Sequence, residues 1–302
     1  ASVILKDLAP FVPALSRFEE PLDLNLVFSG HGKHLDCPTL RLTNHHGLMI
    51  AGEAALSNWD AGMDMYIYGK LGNLTMTKEG INVLMTNLTG KVPPILQRLD
   101  YIRFNGEAAG YLHDLTLTGL FHTGAGMVKT DVMMSIDEQS MSRTYSGSVA
   151  SADLDLGKLL NQEKKFGKVD FNVELKGFNY KNRYPESYIK GIISSFEYSQ
   201  YQYENIMLDG VYKDGGFNGR LSMDDANGSV QIDGNFNVAK TIPDFNLKAS
   251  VKNLRPHDLH LSDKYENASI SLDLTADFTG KSIDDMNGRI SLDSLQLNAP
   301  DE

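Results

Sequence analysis

Apolar and polar residues alternate one by one through much of this chain. In residues 168–179, KVDFNVELKGFN, the apolar residues Phe171, Val173 and Leu175 alternate with polar ones until Gly177. Because successive side chains of a β-strand point to opposite faces, this pattern gives a strand one apolar face and one polar face. We therefore predict a strand here, with Gly177 as the turn that lets the sheet continue.

The same alternation recurs along the chain and predicts about sixteen strands. Further clear runs lie at residues 22–28, 63–69, 115–121, 232–238, 245–251 and 270–278. Asp214-Gly215-Gly216 and Asn227-Gly228 fall between such runs and supply the backbone conformations that tight hairpin turns need. The prediction is an antiparallel sheet in which each strand pairs with the next.

Helical signals are few and short. Residues 77–88 carry a capping threonine and helical apolar spacing, and 155–163 and 256–261 are further candidates. Residues 3–18 are ambiguous because Pro10 and Pro13 interrupt any helix there. These helices are too few to cover sixteen strands.

A loose repeat runs along the chain. In each repeat a strand ends near a glycine, a polar spacer follows, and then another strand begins. The glycines are Gly30, Gly106, Gly177 and Gly280. Because the intervals between them are unequal, the pattern indicates a long sheet extended strand by strand and not a solenoid of fixed period. We predict a lead-in segment at 1–20 and a continuous repetitive β-groove domain at 21–302, with a sub-module break near 156–167. The chain starts without methionine and stops within strand-like pattern, so we interpret it as a segment of a longer protein.

Composition narrows the function classes. The 302 residues are 41% hydrophobic and 22% charged, as in folded globular chains. A net charge of −11 argues against a nucleic-acid partner, which requires a basic surface. Cys37 is the only cysteine, so no intrachain disulfide forms, and no apolar run is long enough for a membrane-spanning helix.

The strongest metal candidate is a cluster of zinc-type ligands between residues 31 and 46. It comprises His31, His34, Cys37, His45 and His46. Imidazole and thiolate are good zinc ligands, but the spacing matches no standard zinc finger. We expect polar hairpin ends here, and neither a metal nor a cofactor.

Other candidate chemistry is weaker. Residues 123–126, TGAG, resemble a phosphate loop but lie between strands, and 224–228, DDANG, lack the first and last ligands of a calcium loop. Both favour hairpin turns. The chain lacks the common catalytic motifs, so we predict that it is not an enzyme. Trp59 and the aromatic run 196–203 could stack on sugar rings, although aromatic residues also favour strands.

The apolar faces of so many strands need something to cover them. A closed sandwich or barrel would bury them internally, whereas one long curled sheet would form an apolar groove. Sixteen strands about 4.8 Å apart extend roughly 75 Å, which suits acyl chains. The predicted fold is all-β, a long antiparallel curled sheet forming a groove (β-taco-like) with a few short helices.

Three stretches carry a resemblance to a known family. They are YSGSVASADLDLGKLLNQ at 145–162, NIMLDGVYKDGGFNGRLSMDD at 205–225 and FTGKSIDDMNGRISLDSLQL at 278–297. This texture resembles the AsmA-like repeats of the TamB family, which belongs to the translocation and assembly module of Gram-negative envelopes, over residues 20–297. The resemblance implies a periplasmic protein, anchored to the inner membrane, whose β-groove conducts phospholipid acyl chains between membranes. It also implies a part in assembling outer-membrane proteins, with a β-barrel partner or client.

The residues predicted to line the groove are the apolar members of the alternating runs. They are Leu24, Leu26, Phe28, Phe171, Val173, Leu175, Phe245, Leu247, Ile270, Leu272, Leu274 and Phe278. An ordinary core would have the same sequence pattern. Two other interpretations stay open: a β-sandwich adhesin or glycan-binding module that uses residues 196–203, and an enzyme on a β-helix.

Overall fold

A computed structural model describes most of the chain and divides it into two compact units. The described residues are 2–8, 16–19, 21–137, 139–140, 142–179, 186–237, 240–264, 266–281 and 285–299. Unit 1 comprises residues 1–136 and 151–161, and unit 2 comprises residues 137–150 and 162–302. Strand β9 (Arg143–Asp155) belongs to both units: its residues 143–150 are part of unit 2, and its residues 151–155 are part of unit 1.

Unit 1 contains an antiparallel sheet in which consecutive strands pair. Its strands are β1 (Ser2–Ile4), β2 (Pro21–His31), β3 (His34–Thr43), β4 (Leu48–Ser57), β5 (Tyr66–Thr77), β6 (Tyr101–Tyr111), β7 (Asp114–Thr123) and β8 (Gly126–Ile136). The helices are α1 (Lys78–Thr89), α2 (Pro94–Gln97) and α3 (Leu156–Leu160), with short 3-10 turns at Leu5–Leu8 and Gly62–Asp64.

Unit 2 repeats the arrangement without a described α-helix. Its strands are β10 (Phe166–Asn179), β11 (Glu186–Tyr198), β12 (Tyr201–Lys213), β13 (Gly216–Asp225), β14 (Gly228–Asn237), β15 (Asp244–Leu254), β16 (Ser269–Thr279) and β17 (Asn287–Asn298). Each strand from β11 onward is hydrogen-bonded antiparallel to the one before it. The predicted all-β antiparallel fold with few short helices is confirmed.

Helix α1 forms where the sequence predicts it. Thr77 caps its first turn by accepting a hydrogen bond from the Gly80 amide, and Gly90 ends it in the left-handed conformation with φ of 78°. Between these caps Ile81 points into the unit and is only 1% exposed. The helix therefore contributes one of the most deeply buried side chains of the described residues.

Ile81 is part of a small core at the ends of β5 and β6. Buried residues of this core are Ile81, Leu99, Ile102 and Ala125, and Met76, Met85, Leu96, Phe121 and Leu159 pack against them. The members come from α1, the loop before β6, the strand ends and α3, so this core joins the helical connections to the sheet.

Two helix predictions need correction. The helix predicted at 155–163 forms only over Leu156–Leu160, where Asp155 caps it and Asn161 ends it in the left-handed conformation. The helix predicted at 256–261 is a series of turns. Its amide hydrogen bonds have unequal spacing, since the Leu259 amide donates to Arg255 and the Leu261 amide to Pro256.

The predicted role of Gly177 is also wrong. Gly177 lies inside β10, paired with Ser187, and does not form a turn. A Cβ atom at this position would overlap the ring of Tyr145, whose hydroxyl bonds the Ser187 hydroxyl. The glycine therefore makes room for an aromatic ring. Gly30 and Gly106 likewise lie within strands, whereas Gly280 follows β16.

Replacing Ile81 with alanine should destabilise unit 1 strongly. Truncating a fully buried isoleucine typically costs about 2–5 kcal/mol in the free energy of unfolding. Ile95→Ala is the matched control, because Ile95 on α2 is 48% exposed and its truncation should cost less than about 1 kcal/mol. Urea unfolding of both variants measures the difference; equal losses would contradict the assignment of Ile81 to the core.

Candidate ligand-binding face

The apolar side of unit 2 consists of rows of side chains that run across its strands. Residues paired in register on neighbouring strands lie side by side on the same face. One row follows Val173 through all eight strands: Val173, Gly191, Leu208, Leu221, Ile232, Ala249, Leu274 and Leu292. At about 4.8 Å per strand the row is roughly 34 Å long.

The register brings together predicted residues from distant parts of the sequence. Val173 shares its row with Leu274, and Phe171 shares a row with Leu272 through Ile193, Ile206, Met223, Val230 and Val251. Leu175 shares a row with Leu247, Phe245 is paired with Phe278, and Ile270 is paired with Leu254. All nine predicted residues of unit 2 therefore lie on one face.

This face is only partly covered. The nine predicted residues are partly buried, and none reaches the burial of Ile81 in the unit 1 core. On β17 the continuing rows are open to solvent: Ile290, Leu292, Leu295 and Leu297 are 47–61% exposed. Contiguous apolar surface left exposed on a folded protein is typical of binding surfaces, so this face is the candidate site.

A row of glycines shapes the middle of the face. Gly210, Gly219 and Gly234 are paired side by side on β12, β13 and β14. A Cβ atom on Gly219 would overlap the Asp209 carbonyl oxygen and the Gly210 Cα, so the neighbouring backbone occupies the space above the glycine. The strand backbones therefore approach closely along this row, and the ring of Phe217 lies over Gly210.

Beside the glycine row lies a row of four phenylalanines that the sequence pattern predicts only in part. Phe217, Phe236, Phe245 and Phe278 are paired in register on β13 to β16. The Phe245 and Phe278 rings stack with centroids 4.7 Å apart, and those of Phe217 and Phe236 are 5.6 Å apart. Phe217 was missed because Gly219 takes the next position on the same face of its strand and leaves a short apolar run there.

One margin of the face is covered by the chain itself. In the segment 255–262, between β15 and β16, Leu259 is fully buried and its carbonyl accepts a hydrogen bond of 2.7 Å from the Tyr203 hydroxyl. The Arg255 amide donates to the Asn227 carbonyl, and the His260 ring bonds the Ser199 carbonyl. These contacts hold the segment against the hairpin ends of unit 2.

The Tyr201 hydroxyl belongs to the same margin. It donates to the Asp225 carboxylate and accepts from the Asn227 side chain. Burial and then the bond to Asp225 raise the pKa of Tyr201 to about 12, because both favour the neutral phenol.

The polar face of unit 2 carries a ladder of alternating charge directly behind the glycine row. Its members, in strand order, are Glu174, Lys190, Asp209, Arg220, Asp233 and Lys248. Arg220 Nε lies 3.0 Å from Asp233. The Tyr188 hydroxyl and then Lys190 lower the pKa of Asp209, since both stabilise its carboxylate. Opposite charges in register stabilise this pairing over a shifted one.

A depression of about 470 Å³ lies on this polar face, around the exposed pair Ile192 and Met207. Its rim includes Lys190 and Asp209, which lie 3.5 Å apart and so partly neutralise each other. Leu208 and Gly191 also line the depression, and its other lining residues are polar or charged. We therefore place the candidate ligand site on the opposite face, where apolar side chains run across every strand of the unit.

Unit 1 has a similar apolar face. Leu24 begins a row that continues through Leu42, Ile50, Leu74, Phe104, Phe121 and Val128. Leu26 begins a second row, and three of the residues in this row are glycines. The row continues through Leu40, Gly52, Leu71, Gly106, Gly119 and Thr130. Phe28 lies at a register shift of β2 and is 63% exposed, unlike Leu24 and Leu26, which are partly buried.

The zinc-type ligands predicted from the sequence do not converge. His34 begins β3, while His45 and His46 follow its end, more than ten residues along the chain. The Cys37 thiol donates to the Thr39 carbonyl, and the His46 ring bonds Glu79 at 2.7 Å. Among the described residues, no group of three or more histidine, cysteine, aspartate or glutamate side chains is placed to hold a metal ion.

The two loop motifs form hairpin turns. Thr123 pairs with Gly126 between β7 and β8, and Asp225 pairs with Gly228 between β13 and β14. The Asp225 carboxylate accepts the amides of Asn227 and Glu204 and so holds its own turn. Each motif therefore has a structural role.

Comparison of the sequence with models of known families gives no match, and comparisons with curated proteins and with solved structures give none. Within the described ranges, no helix has the length and apolar character needed to span a membrane. Function is therefore inferred from the two apolar faces.

Gly219→Ala should destabilise unit 2, because the added methyl group overlaps neighbouring backbone that cannot move independently. Overpacking of this kind costs about 1–3 kcal/mol or more. Gly69→Ala on β5 is the control, since no atom lies within 4 Å of its added Cβ, and it should change the free energy of unfolding by less than about 1 kcal/mol. Chemical denaturation compares the two variants; a neutral Gly219→Ala variant would contradict the close approach of the neighbouring backbone at Gly219.

Alkaline titration should show that Tyr201 ionises at a higher pH than an ordinary tyrosine. Its folded pKa of about 12 exceeds the ordinary value of 10.0, so the folded state retains a proton that the unfolded state releases. The resulting stability is complete below pH 10 and is lost as the pH rises to 12. When tyrosine ionisation is followed by absorbance, the Tyr201→Phe variant should lack one tyrosine that ionises at high pH in the wild type. Loss of a tyrosine that ionises near the ordinary pKa would contradict the burial of this hydroxyl.

Proposed function

We propose that this chain is a lipid-carrying segment of an envelope protein. In this proposal the apolar faces of units 1 and 2 shield phospholipid acyl chains as these pass between the inner and outer membranes. The observation that carries the proposal is the continuity of the apolar rows across β10 to β17, together with their partial exposure. A hydrophobic core would bury such rows, whereas a ligand-binding surface leaves them accessible.

The shape and surface chemistry of unit 2 suit an acyl chain. The glycine row presents backbone without side chains, and the phenylalanine row borders it with flat hydrocarbon surface. The described lining of these rows is hydrocarbon or backbone, with the charged residues of the unit 2 ladder on the other face. Such a surface binds methylene chains without selecting a particular polar group.

The energetics favour passage over tight retention. Removing a methylene from water is worth about 0.8 kcal/mol, but moving it from a bilayer to an apolar groove is close to neutral. A lipid can therefore enter and leave such a groove without being trapped. The process needs neither a bound cofactor nor bond chemistry.

The cellular setting of the proposal follows from the resemblance to TamB-type repeats. In this proposal the protein lies in the periplasm of a Gram-negative cell, within a longer chain anchored to the inner membrane. Its ligands would be phospholipid acyl chains, and its net charge of −11 disfavours nucleic acid.

Assistance in outer-membrane protein assembly is a second candidate function, favoured by β17. All twelve residues of this strand are exposed, and its described pairing is with β16. An exposed strand edge can accept a further strand by backbone hydrogen bonding. In this proposal an extended segment of a β-barrel client would pair with β17.

The glycan-binding alternative gains less support. Tyr203 is buried and bonded to Leu259, and the rings of Tyr201 and Tyr203 pack edge to face with centroids 4.8 Å apart. Stacking on a sugar requires an accessible ring face. These aromatic residues instead hold the segment 255–262 in place.

Leu272→Asp should reduce lipid binding about tenfold or more. A carboxylate in contact with an acyl chain costs more than the 1.4 kcal/mol that corresponds to a tenfold change in affinity. Mass spectrometry of lipid extracted from the gently purified protein measures the effect, together with binding of a fluorescent phospholipid.

The matched control is Thr275→Asp on the same strand. Thr275 lies on the polar face, paired with Lys248, so the new carboxylate should leave lipid binding unchanged. Circular dichroism establishes that both variants are folded. Equal lipid content in wild type and folded Leu272→Asp would refute the assignment of this face, and absence of lipid from the wild type would refute the proposed function.

A further inference from the structure

A serine, a histidine and an aspartate meet on the polar face of unit 1. His34 begins β3 and is paired in register with Ser57, the last residue of β4. His34 Nδ1 lies 2.7 Å from Ser57 Oγ, and His34 Nε2 lies 3.0 Å from Asp36 Oδ2. A hydroxyl bonded to an imidazole that is bonded in turn to a carboxylate is the arrangement of an activated nucleophile.

The hydrogen bonds are consistent with the protonation state that the chemistry needs. If Nε2 carries the imidazole proton and donates it to Asp36, the Nδ1 lone pair accepts the Ser57 hydroxyl. The carboxylate then holds the ring in position and stabilises the imidazolium that forms when the hydroxyl loses its proton. Asp36 is thus a positioning residue, and His34 is the base.

The loop after Ser57 is held close to His34. The Asn58 amide donates to the Lys33 carbonyl at 2.9 Å, and Lys33 Nζ lies 2.7 Å from Asp60. Asn58 adopts the left-handed conformation with φ of 55°, which turns the chain away directly after the serine. Ser57 is therefore fixed at the start of a tight turn.

We propose that Ser57 is an acceptor of acyl groups from activated esters and thioesters, with His34 as its general base. Ser57 Oγ attacks the acyl carbonyl carbon, and its proton passes to His34 Nδ1. The bond from the acyl carbon to the leaving group breaks, and the leaving alcohol or thiol takes the proton from His34. The products are an acyl ester on Ser57 and the free alcohol or thiol.

The exposure of the site decides the class of donor. The side chains of His34 and Asp36 are 48% and 55% exposed, so water surrounds the charge that develops on the acyl oxygen. Stabilisation of that charge in a water-excluded site is usually the largest contribution to acyl transfer. The site therefore suits donors with good leaving groups, and amides should not react.

The experiment uses the whole chain with p-nitrophenyl butyrate and, separately, the butyryl thioester of N-acetylcysteamine. We expect one butyryl group per protein, located on Ser57 by peptide mass spectrometry, and no labelling by the corresponding p-nitroanilide. Ser57→Ala should abolish this label. His34→Gln should slow labelling by about 10²-fold or more, the usual contribution of a general base.

Further variants separate positioning from structure. Asp36→Asn should slow labelling, and Asp36→Glu should restore part of the rate. Ser135→Ala is the matched control, because the Ser135 hydroxyl donates to the Asp114 carboxylate without an intervening histidine, and it should leave labelling unchanged. Labelling confined to lysines, or an unchanged rate in His34→Gln, would overturn the proposal.

Discussion

The cross-strand register of unit 2 determines which face of its sheet is apolar and which is polar. In rows such as that of Val173 and Leu274, apolar residues lie beside one another and keep one side hydrocarbon across all eight strands. A slip of one residue in any strand would turn its apolar set to the polar side. The charge ladder on the other face supports the same register, since it sets Arg220 between Asp209 and Asp233. Both faces therefore favour one pairing.

Among the described residues, the two most deeply buried large side chains lie in connections between strands. Ile81 lies on α1 and Leu259 in the segment 255–262, and these two are the large side chains with less than 2% exposure among the described residues. Other buried side chains, such as those of Phe104 and Val169, lie on strands, whereas the strand residues predicted to line the groove in unit 2 stay partly exposed. Each unit thus gains fixed hydrophobic contacts at a strand margin, while the middle of its sheet keeps an accessible apolar surface.

Much of the fold follows from local sequence pattern, and the candidate site does so only in part. Alternation in single strands predicts Phe171 or Leu272 correctly as members of an apolar face, and Thr77 predicts the start of α1. The meeting of His34 and Ser57 depends instead on a register shift in β3. Leu40 pairs with Gly52 but Cys37 with Ala54; without that shift His34 would be opposite Asn58. Gly177 shows the same limit, because its neighbour Tyr145 is distant in sequence.

The glycine row has a consequence for sequence variation. At Gly210, Gly219 and Gly234 the neighbouring backbone lies so close that an added Cβ atom would overlap it, and the ring of Phe217 also lies over Gly210. No larger residue fits at these positions unless a neighbouring strand moves, which a close-packed structure resists. The spacing of the strands in the middle of unit 2 therefore depends on one residue type that contributes no side chain to either face.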